Sequence, residues 1–328
     1  MLGRGSIGPT GMYDGNGHRK DNAMGISQAR SGQGKTMYHS FITDEASQYP
    51  EEFLQLAGKH GVRSLEVRSV WGAHIGELPN GQRRELRRQL EGYGVTVCCL
   101  DSFAFKCDVE QPVDGELERL KRDIGIASEL GAGIVRVFSF LRRGNPDQYT
   151  SRVRDALGEG GRIARDAGLL LGIENCRRTM HRTGEEMGSL LEQLDGDVFG
   201  VVWDPANAIT SGADLRPLEN GYHCMSGRIL HVHVKNPSIM RGKEIGYTML
   251  EEAHEGLEWP EQVRLLSGDK FAGALSLETH WRSGKRLGAD DLARPGGYEF
   301  SRGGYEATDK DMLVLCRWIE QELAGPSV

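Results

Sequence analysis

Four segments in the second half of the chain end an apolar run in a residue able to bind a cation. They are Ile173-Glu174-Asn175, Trp203-Asp204-Pro205-Ala206-Asn207, His231-Val232-His233-Val234-Lys235-Asn236 and Leu277-Glu278-Thr279-His280. An ionised carboxylate beside buried apolar residues is costly unless a cation or an opposite charge meets it. One shared divalent ion removes that cost for all of them at once. Three carboxylates with a neutral imidazole make an oxygen-rich, fairly hard donor set, suited to Mn²⁺, Mg²⁺ or Co²⁺ with positions left for a ligand; Zn²⁺ also fits. His231 and His233 are two residues apart and share one face of a strand, so both are conceivable ligands. His233 lies nearer the C-terminal end of the run, and Lys235, on the same face, follows it into the site.

Such residues converge only if the strands carrying them are parallel neighbours. From residue 37 onward, short apolar runs alternate with amphipathic stretches of helical period, which is the signature of repeated βα units. Strands are predicted at Tyr38–Ile42, Ser64–Arg68, Val95–Leu100, Ile134–Phe138, Leu169–Ile173, Phe199–Trp203, Ile229–Val234 and Ala274–Leu277. Helices are predicted at Pro50–His60, Gly81–Tyr93, Glu116–Leu130, Gln148–Ala167, Gly184–Leu194, weakly at Leu215–Ser226, at Trp259–Leu266 and at Asp309–Leu323. The glycines of His60-Gly61-Val62, Tyr93-Gly94-Val95, Leu130-Gly131-Ala132 and Ala167-Gly168-Leu169 read as left-handed helix caps before buried strands. Eight units with no G-x-G-x-x-G after the first strand favour a closed (β/α)₈ TIM barrel over an open doubly wound sheet. At the mouth of such a barrel the C-terminal strand ends meet, which is where the four segments place their polar residues.

The expected organisation is one barrel domain over residues 37–328, preceded by a segment, 1–36, rich in Gly, Ser, Asn and charge. That segment lacks apolar periodicity and is expected to be a disordered, flexible arm. With 328 residues, 38% hydrophobic and 27% charged, the chain is long enough for one large barrel. Its net charge of −7 argues against a nucleic-acid backbone as the main partner. Six cysteines without a C-x-x-C pair predict reduced thiols, and no apolar stretch reaches membrane-spanning length, so a cytoplasmic protein is expected.

The segments LGIEN (171–175), VVWDPAN (201–207), HVHVKN (231–236), EGLEWPEQVRLL (255–266) and GALSLETHW (273–281) carry a resemblance. Through them residues 37–324 resemble the sugar phosphate isomerase/epimerase superfamily, the xylose isomerase-like barrels. The resemblance implies that Glu174, Asp204, His233 and Glu278 are the metal ligands, with His233 rather than His231 as the ligand in the H-x-H pair. It also implies that Glu174 and Glu278 form the acid/base pair, as in ketose epimerases. Two departures stand out: Asn207 replaces a histidine common in the family, and His233-Val234-Lys235-Asn236 replaces H-x-K-D. The implied activity is isomerisation or epimerisation of a sugar, keto-sugar or cyclitol through an enediolate.

Lys235, Asn207, Glu66, Arg136, Arg282 and Trp71 are candidates for substrate contact. Glu66 and Arg136 have the alternative of neutralising each other inside the barrel. Trp71 could stack on a sugar ring, and Arg282 could meet an anionic group. The same metal site would also serve a lyase or dehydratase, or a barrel that binds sugar without catalysis. A nuclease of the endonuclease IV type needs more histidines than the first four strands supply. The segment 236–257 and the C-terminal helix are candidate surfaces for a homo-oligomer.

Overall fold

The computed structural model describes residues 36–239, 245–252 and 256–324. The arm expected at 1–36 lies, apart from residue 36, outside the described residues. Eight parallel strands form the barrel: β1 Tyr38–Phe41, β2 Ser64–Val67, β3 Thr96–Asp101, β4 Ile134–Val137, β5 Leu170–Glu174, β6 Phe199–Trp203, β7 Ile229–Val234 and β8 Ala274–Leu277. Their order is β1-β8-β7-β6-β5-β4-β3-β2, and a parallel bridge between Ile42 and Glu66 joins the first strand to the second and closes the ring.

The crossover helices are α1 Pro50–Lys59, α2 Asn80–Tyr93, α3 Asp114–Leu130, α4 Thr150–Asp166, α5 Gly184–Leu191, α6 Pro205–Thr210, α7 Trp259–Gly268 and α8 Gly304–Ala324. In α1, Pro50 sits in the first turn with Glu51 and Glu52, where a missing N–H and negative charge are both tolerated. Phe53, Leu54, Leu56 and Ala57 form its buried face. Complete burial of a Phe or Leu there contributes roughly 1.5–3 kcal/mol. Gly94 and Gly131 take φ of +65° and +74°, ending α2 and α3 in the left-handed caps expected of them. Gly161 has a different task. A Cβ at that position would lie 2.5 Å from the Phe199 ring, so its absence lets α4 approach the barrel wall.

The weak helix expected at Leu215–Ser226 is instead two single turns, Pro217–Asn220 and Tyr222–Met225. The longer turn in this connection is α6, because Asp204 caps it by accepting a hydrogen bond from the Asn207 N–H. The last helix also starts at Gly304 rather than Asp309. The mouth segment 236–257 folds back as an antiparallel hairpin, Asn236–Ile239 against Ile245–Thr248, with 240–244 and 253–255 outside the described residues.

Two register shifts set which side chains enter the barrel. Between β6 and β7, Val201 pairs with Ile229 but Val202 pairs with His231, so Leu230 is the extra residue of a β-bulge. Leu230 packs with Cys98, Cys99, Ile134, Leu170 and Ala274, while the next residue, His231, bonds Glu66 inside the same barrel. Strict alternation would have sent one of them outward. On β3, Cys98 is the extra residue between the pairs Leu65–Val97 and Glu66–Cys99, and both cysteines are buried in that cluster. The bulges thus switch β3 and β7 from an apolar floor to a polar upper layer.

Candidate metal centre

Glu174 is the last residue of β5, Asp204 and Glu278 immediately follow β6 and β8, and His233 is the penultimate residue of β7. Each is buried, and one potential ligand atom from each lies within 4.8 Å of those of the other three. The strand ends are fastened to one another. Asn175 accepts a hydrogen bond from the Asp204 N–H at 2.7 Å and donates through Nδ2 to the Asp204 carbonyl at 2.8 Å. Asn207 donates through Nδ2 to Glu174 Oε1 at 2.9 Å and to the Asn175 carbonyl at 3.1 Å.

His233 is oriented from below. Its Nε2 lies 2.9 Å from Glu66 Oε1, while Nδ1 faces Glu278 Oε2 at 3.6 Å and Glu174 Oε2 at 4.0 Å. Among the described residues Nδ1 has no hydrogen-bond partner although it is buried. A carboxylate that accepts the Nε2 proton leaves the Nδ1 lone pair free for a cation. The set therefore fits a divalent ion: Glu174, Asp204 and Glu278 would supply oxygens and His233 Nδ1 the nitrogen.

Lys235 reaches the same oxygens. Its ammonium is 2.6 Å from Asp204 Oδ2 and 2.5 Å from Glu278 Oε2. The Asp204 contact is an ion pair, because its direction does not suit a hydrogen bond and Oδ2 lacks a hydrogen-bond donor. Glu278 is also bound by Arg68 Nη1 at 2.8 Å. Burial alone would raise the Glu278 pKa, but Lys235, His280, His233 and Arg68 hold it well below the usual carboxylate range. Burial together with Glu278 and Glu174 pushes Asp204 up to about 6 against the pull of Lys235. Burial opposes a charge on His233, yet Glu66, Glu278 and Glu174 raise its pKa to about 10. Lys235, Arg68 and Arg136 bring positive charge to these carboxylates.

Arg136, Lys235 and Asn207 line the cavity at the mouth together with Glu174 and Glu278. The cavity encloses about 30 Å³, room for a water molecule or an ion. Glu66 lies beneath, bonded to His231 and His233, and Arg136 pairs with Asp101 at 2.7 Å and Glu174 at 3.4 Å. The two do not form the direct pair considered from sequence. Trp71 sits in a small hairpin after β2, where its N–H donates to the Gln48 carbonyl, and it does not line the cavity. The Arg282 guanidinium is buried against Glu45 at 3.1 Å and the Phe300 carbonyl, also outside the cavity lining.

Sequence reasoning missed Arg68, Asp44, Glu45 and His280 as parts of this network. Arg68 bridges Asp44, Glu45 and Glu278, and Glu45 also holds His280 Nδ1 at 2.7 Å. Thr43-Asp44-Glu45 follows β1 after Ile42, and Arg68 directly follows β2, so the strand-end rule, applied to the first half of the chain, would have found Asp44, Glu45 and Arg68.

This fold and site define a (β/α)₈ barrel with a buried acidic centre at its C-terminal mouth. Residues 54–300 match the family described as xylose isomerase-like TIM barrels, and the chain belongs to that family. The L-ribulose 3-epimerase structure superposes with a TM-score of 0.65 at 16% identity, covering 87% of this chain and 95% of that one. The probable 3-DHS dehydratase AsbF of Bacillus anthracis gives 0.64 at 16% identity, covering 85% and 98%. The IolI protein with a bound zinc atom gives 0.66 at 15% identity, covering 87% and 98%. At these identities the likeness concerns the fold. No curated protein matches the chain. No helix among the described residues is long and apolar enough to cross a membrane.

Proposed function

We propose that this protein is a divalent-metal-dependent isomerase or epimerase of a sugar, keto-sugar or cyclitol, working through an enediolate. The observation that carries the reading is the unpartnered, buried Nδ1 of His233 facing Glu278 and Glu174 in the cluster that Asp204 completes. A divalent ion held by these residues supplies positive charge that stabilises an enediolate. Mn²⁺, Mg²⁺ and Co²⁺ suit the oxygen-rich set, and Zn²⁺ fits it as well.

Glu174 and Glu278 both line the cavity and come from strands on either side of β6 and β7. Two carboxylates entering from different strands can address a substrate carbon from two directions. One takes the α-proton and the other returns a proton, which inverts the centre or moves the carbonyl. Arg68 and Lys235 keep Glu278 ionised, as a base requires. Asn207 and Arg136 hold Glu174 from its two oxygens. The free thiols, among them buried Cys98, Cys99 and Cys176, suit a reducing compartment, and we take the cytoplasm as its location.

The test is metal analysis of the purified protein followed by a panel of ketoses and inosose-like cyclitols in deuterated buffer. Bound metal with deuterium entering one substrate carbon supports the reading. Loss of water from the substrate in place of proton return identifies a lyase. Absence of metal together with absence of exchange on every compound overturns the proposal in favour of a non-catalytic barrel.

A further inference from the structure

The cations around the cavity divide into two groups. Arg68, Arg136 and Lys235 lie deep, and each is paired with two or more carboxylates. Lys106, Arg177 and Arg178 also line the cavity, yet among the described residues none of them has a carboxylate within ion-pair distance. Basic neighbours on the β5 loop and the adjoining β4 loop do have such partners: Arg182, on the former, and Arg142, on the latter, share Glu186, and Arg143 binds Asp108 and Glu110.

The Lys106 ammonium lies over the rings of Phe138 at 4.4 Å and Phe103 at 5.2 Å. The Arg136 guanidinium lies against the same two rings, at 4.4 and 5.4 Å. Ring faces attract cations but do not neutralise them; Arg136 is met by Asp101 and Glu174, whereas Lys106, on the same aromatic wall, has no carboxylate of its own among the described residues. A neighbour feels the cations on this side of the mouth, Arg294 and Arg68 ahead of Arg136 and Lys106. His74 packs edge-on to Phe103, and burial together with Arg294, Arg68, Arg136 and Lys106 pushes its pKa down to about 3. Lys106 and Arg177 are half-buried and Arg178 is exposed; a half-buried cation without a counter-charge is costly, and an anionic group entering the cavity removes that cost for the first two.

Resting on the reading of the acidic centre given above, we propose that the substrate is an anionic sugar derivative. Its carboxylate or phosphate meets Lys106, Arg177 and Arg178, and its carbonyl and hydroxyl end meets Glu174 and Glu278. Arg177 and Arg178 follow Glu174 by three and four residues on the β5 loop, so one loop ties the anion-receiving rim to the acidic centre. This assigns the anionic contact, which sequence alone had suggested for Arg282, to a different set of residues.

The experiment is calorimetric titration of the purified protein with D-fructose, D-fructuronate, D-fructose 6-phosphate and inorganic phosphate, at low and high salt. Wild type, K106M, K106R and R177Q/R178Q are compared. At least one anion is expected to bind tenfold or more tightly than D-fructose, weakening as salt rises. K106M and R177Q/R178Q should each lose most of that preference, and K106R should keep it. A preference for fructuronate identifies a carboxylate, and one for the phosphates a phosphoryl group. Equal binding of neutral and charged compounds, absence of anion binding, or a preference untouched in both charge-removing variants overturns the proposal. Proton exchange is followed separately on the same compounds. Anion preference without exchange removes the isomerase reading alone, whereas exchange on neutral ketoses without anion preference removes this inference alone.

Discussion

Glu66 Oε1 lies 2.9 Å from His233 Nε2, which leaves Nδ1 as the ring nitrogen turned toward the carboxylates of the mouth. Glu66 Oε2 meets His231 at 2.8 Å, so one carboxylate holds both imidazoles of the H-x-H pair. Burial would raise the pKa of Glu66, but the two histidines hold it well below the usual range. Replacing Glu66 by Gln weakens the acceptor and loosens the ring. Metal affinity should fall about 10- to 100-fold, the usual cost of losing such an outer partner, as read by competition with a chromophoric chelator. An unchanged affinity would mean that Glu66 does not orient the ligand.

Lys235 occupies oxygens of Asp204 and Glu278 that a metal would use. The K235Q variant should therefore bind divalent ions more tightly, by roughly tenfold, since a charged hydrogen bond to carboxylate is worth about 1.5–3 kcal/mol. The same chelator competition reads it. Weaker binding in K235Q would show that the ammonium supports the centre instead of competing with metal.

The pH dependence of stability follows from the shifted groups. Asp204, raised to about 6, and Asp101, raised to about 8 by burial and Glu66 against Arg136, bind protons more readily in the folded state. Their contribution is lost as pH rises from the ordinary carboxylate value through those figures. His233, raised to about 10, gives stability fully present below the ordinary histidine value and lost as pH rises through about 10. Through these three groups the metal-free protein should lose melting temperature as pH rises from about 4 to about 10. Added divalent ion should oppose this increasingly over the same range, because ligands must shed protons to bind it. Scanning calorimetry across pH with and without metal checks both limbs; parallel curves would contradict the assignment of Asp204 and His233.

At Gly161 two effects oppose each other. Alanine in a helix gains up to about 1 kcal/mol over glycine, but here its Cβ would stand 2.5 Å from a buried Phe199 ring. Overpacking costs about 1–3 kcal/mol, so G161A should be destabilised in a urea melt. Added to F199L, the same change should cost less, because the smaller side chain leaves room; an equal cost in both backgrounds would point away from this contact.

All eight barrel strands were legible in the sequence to within a residue or so, because buried parallel strands read as dense apolar runs and the glycine caps punctuate the helices. The four acidic-centre residues were legible for a related reason, since each breaks such a run at its C-terminal end. The bulges at Cys98 and Leu230 were not legible, because each extra residue sits next to another apolar one, Cys99 or Ile229, and leaves no mark in the pattern. Asn207 and Lys235 were named as candidates for substrate contact and line the cavity, but their pairing with Glu174, Asp204 and Glu278 depends on how separate strands meet. The unpaired state of Lys106 was likewise hidden, since a lysine in a loop carries no record of which carboxylates fail to reach it.

The central claim is that Glu174 and Glu278 move a proton at a metal-supported carbon. It is tested most directly by deuterium incorporation from solvent into substrate, measured by NMR on E174Q and E278Q after metal content has been verified. Both variants should retain metal in measurable amount and lose incorporation by two or more orders of magnitude. Incorporation at the wild-type rate in both metal-bearing variants would contradict the account.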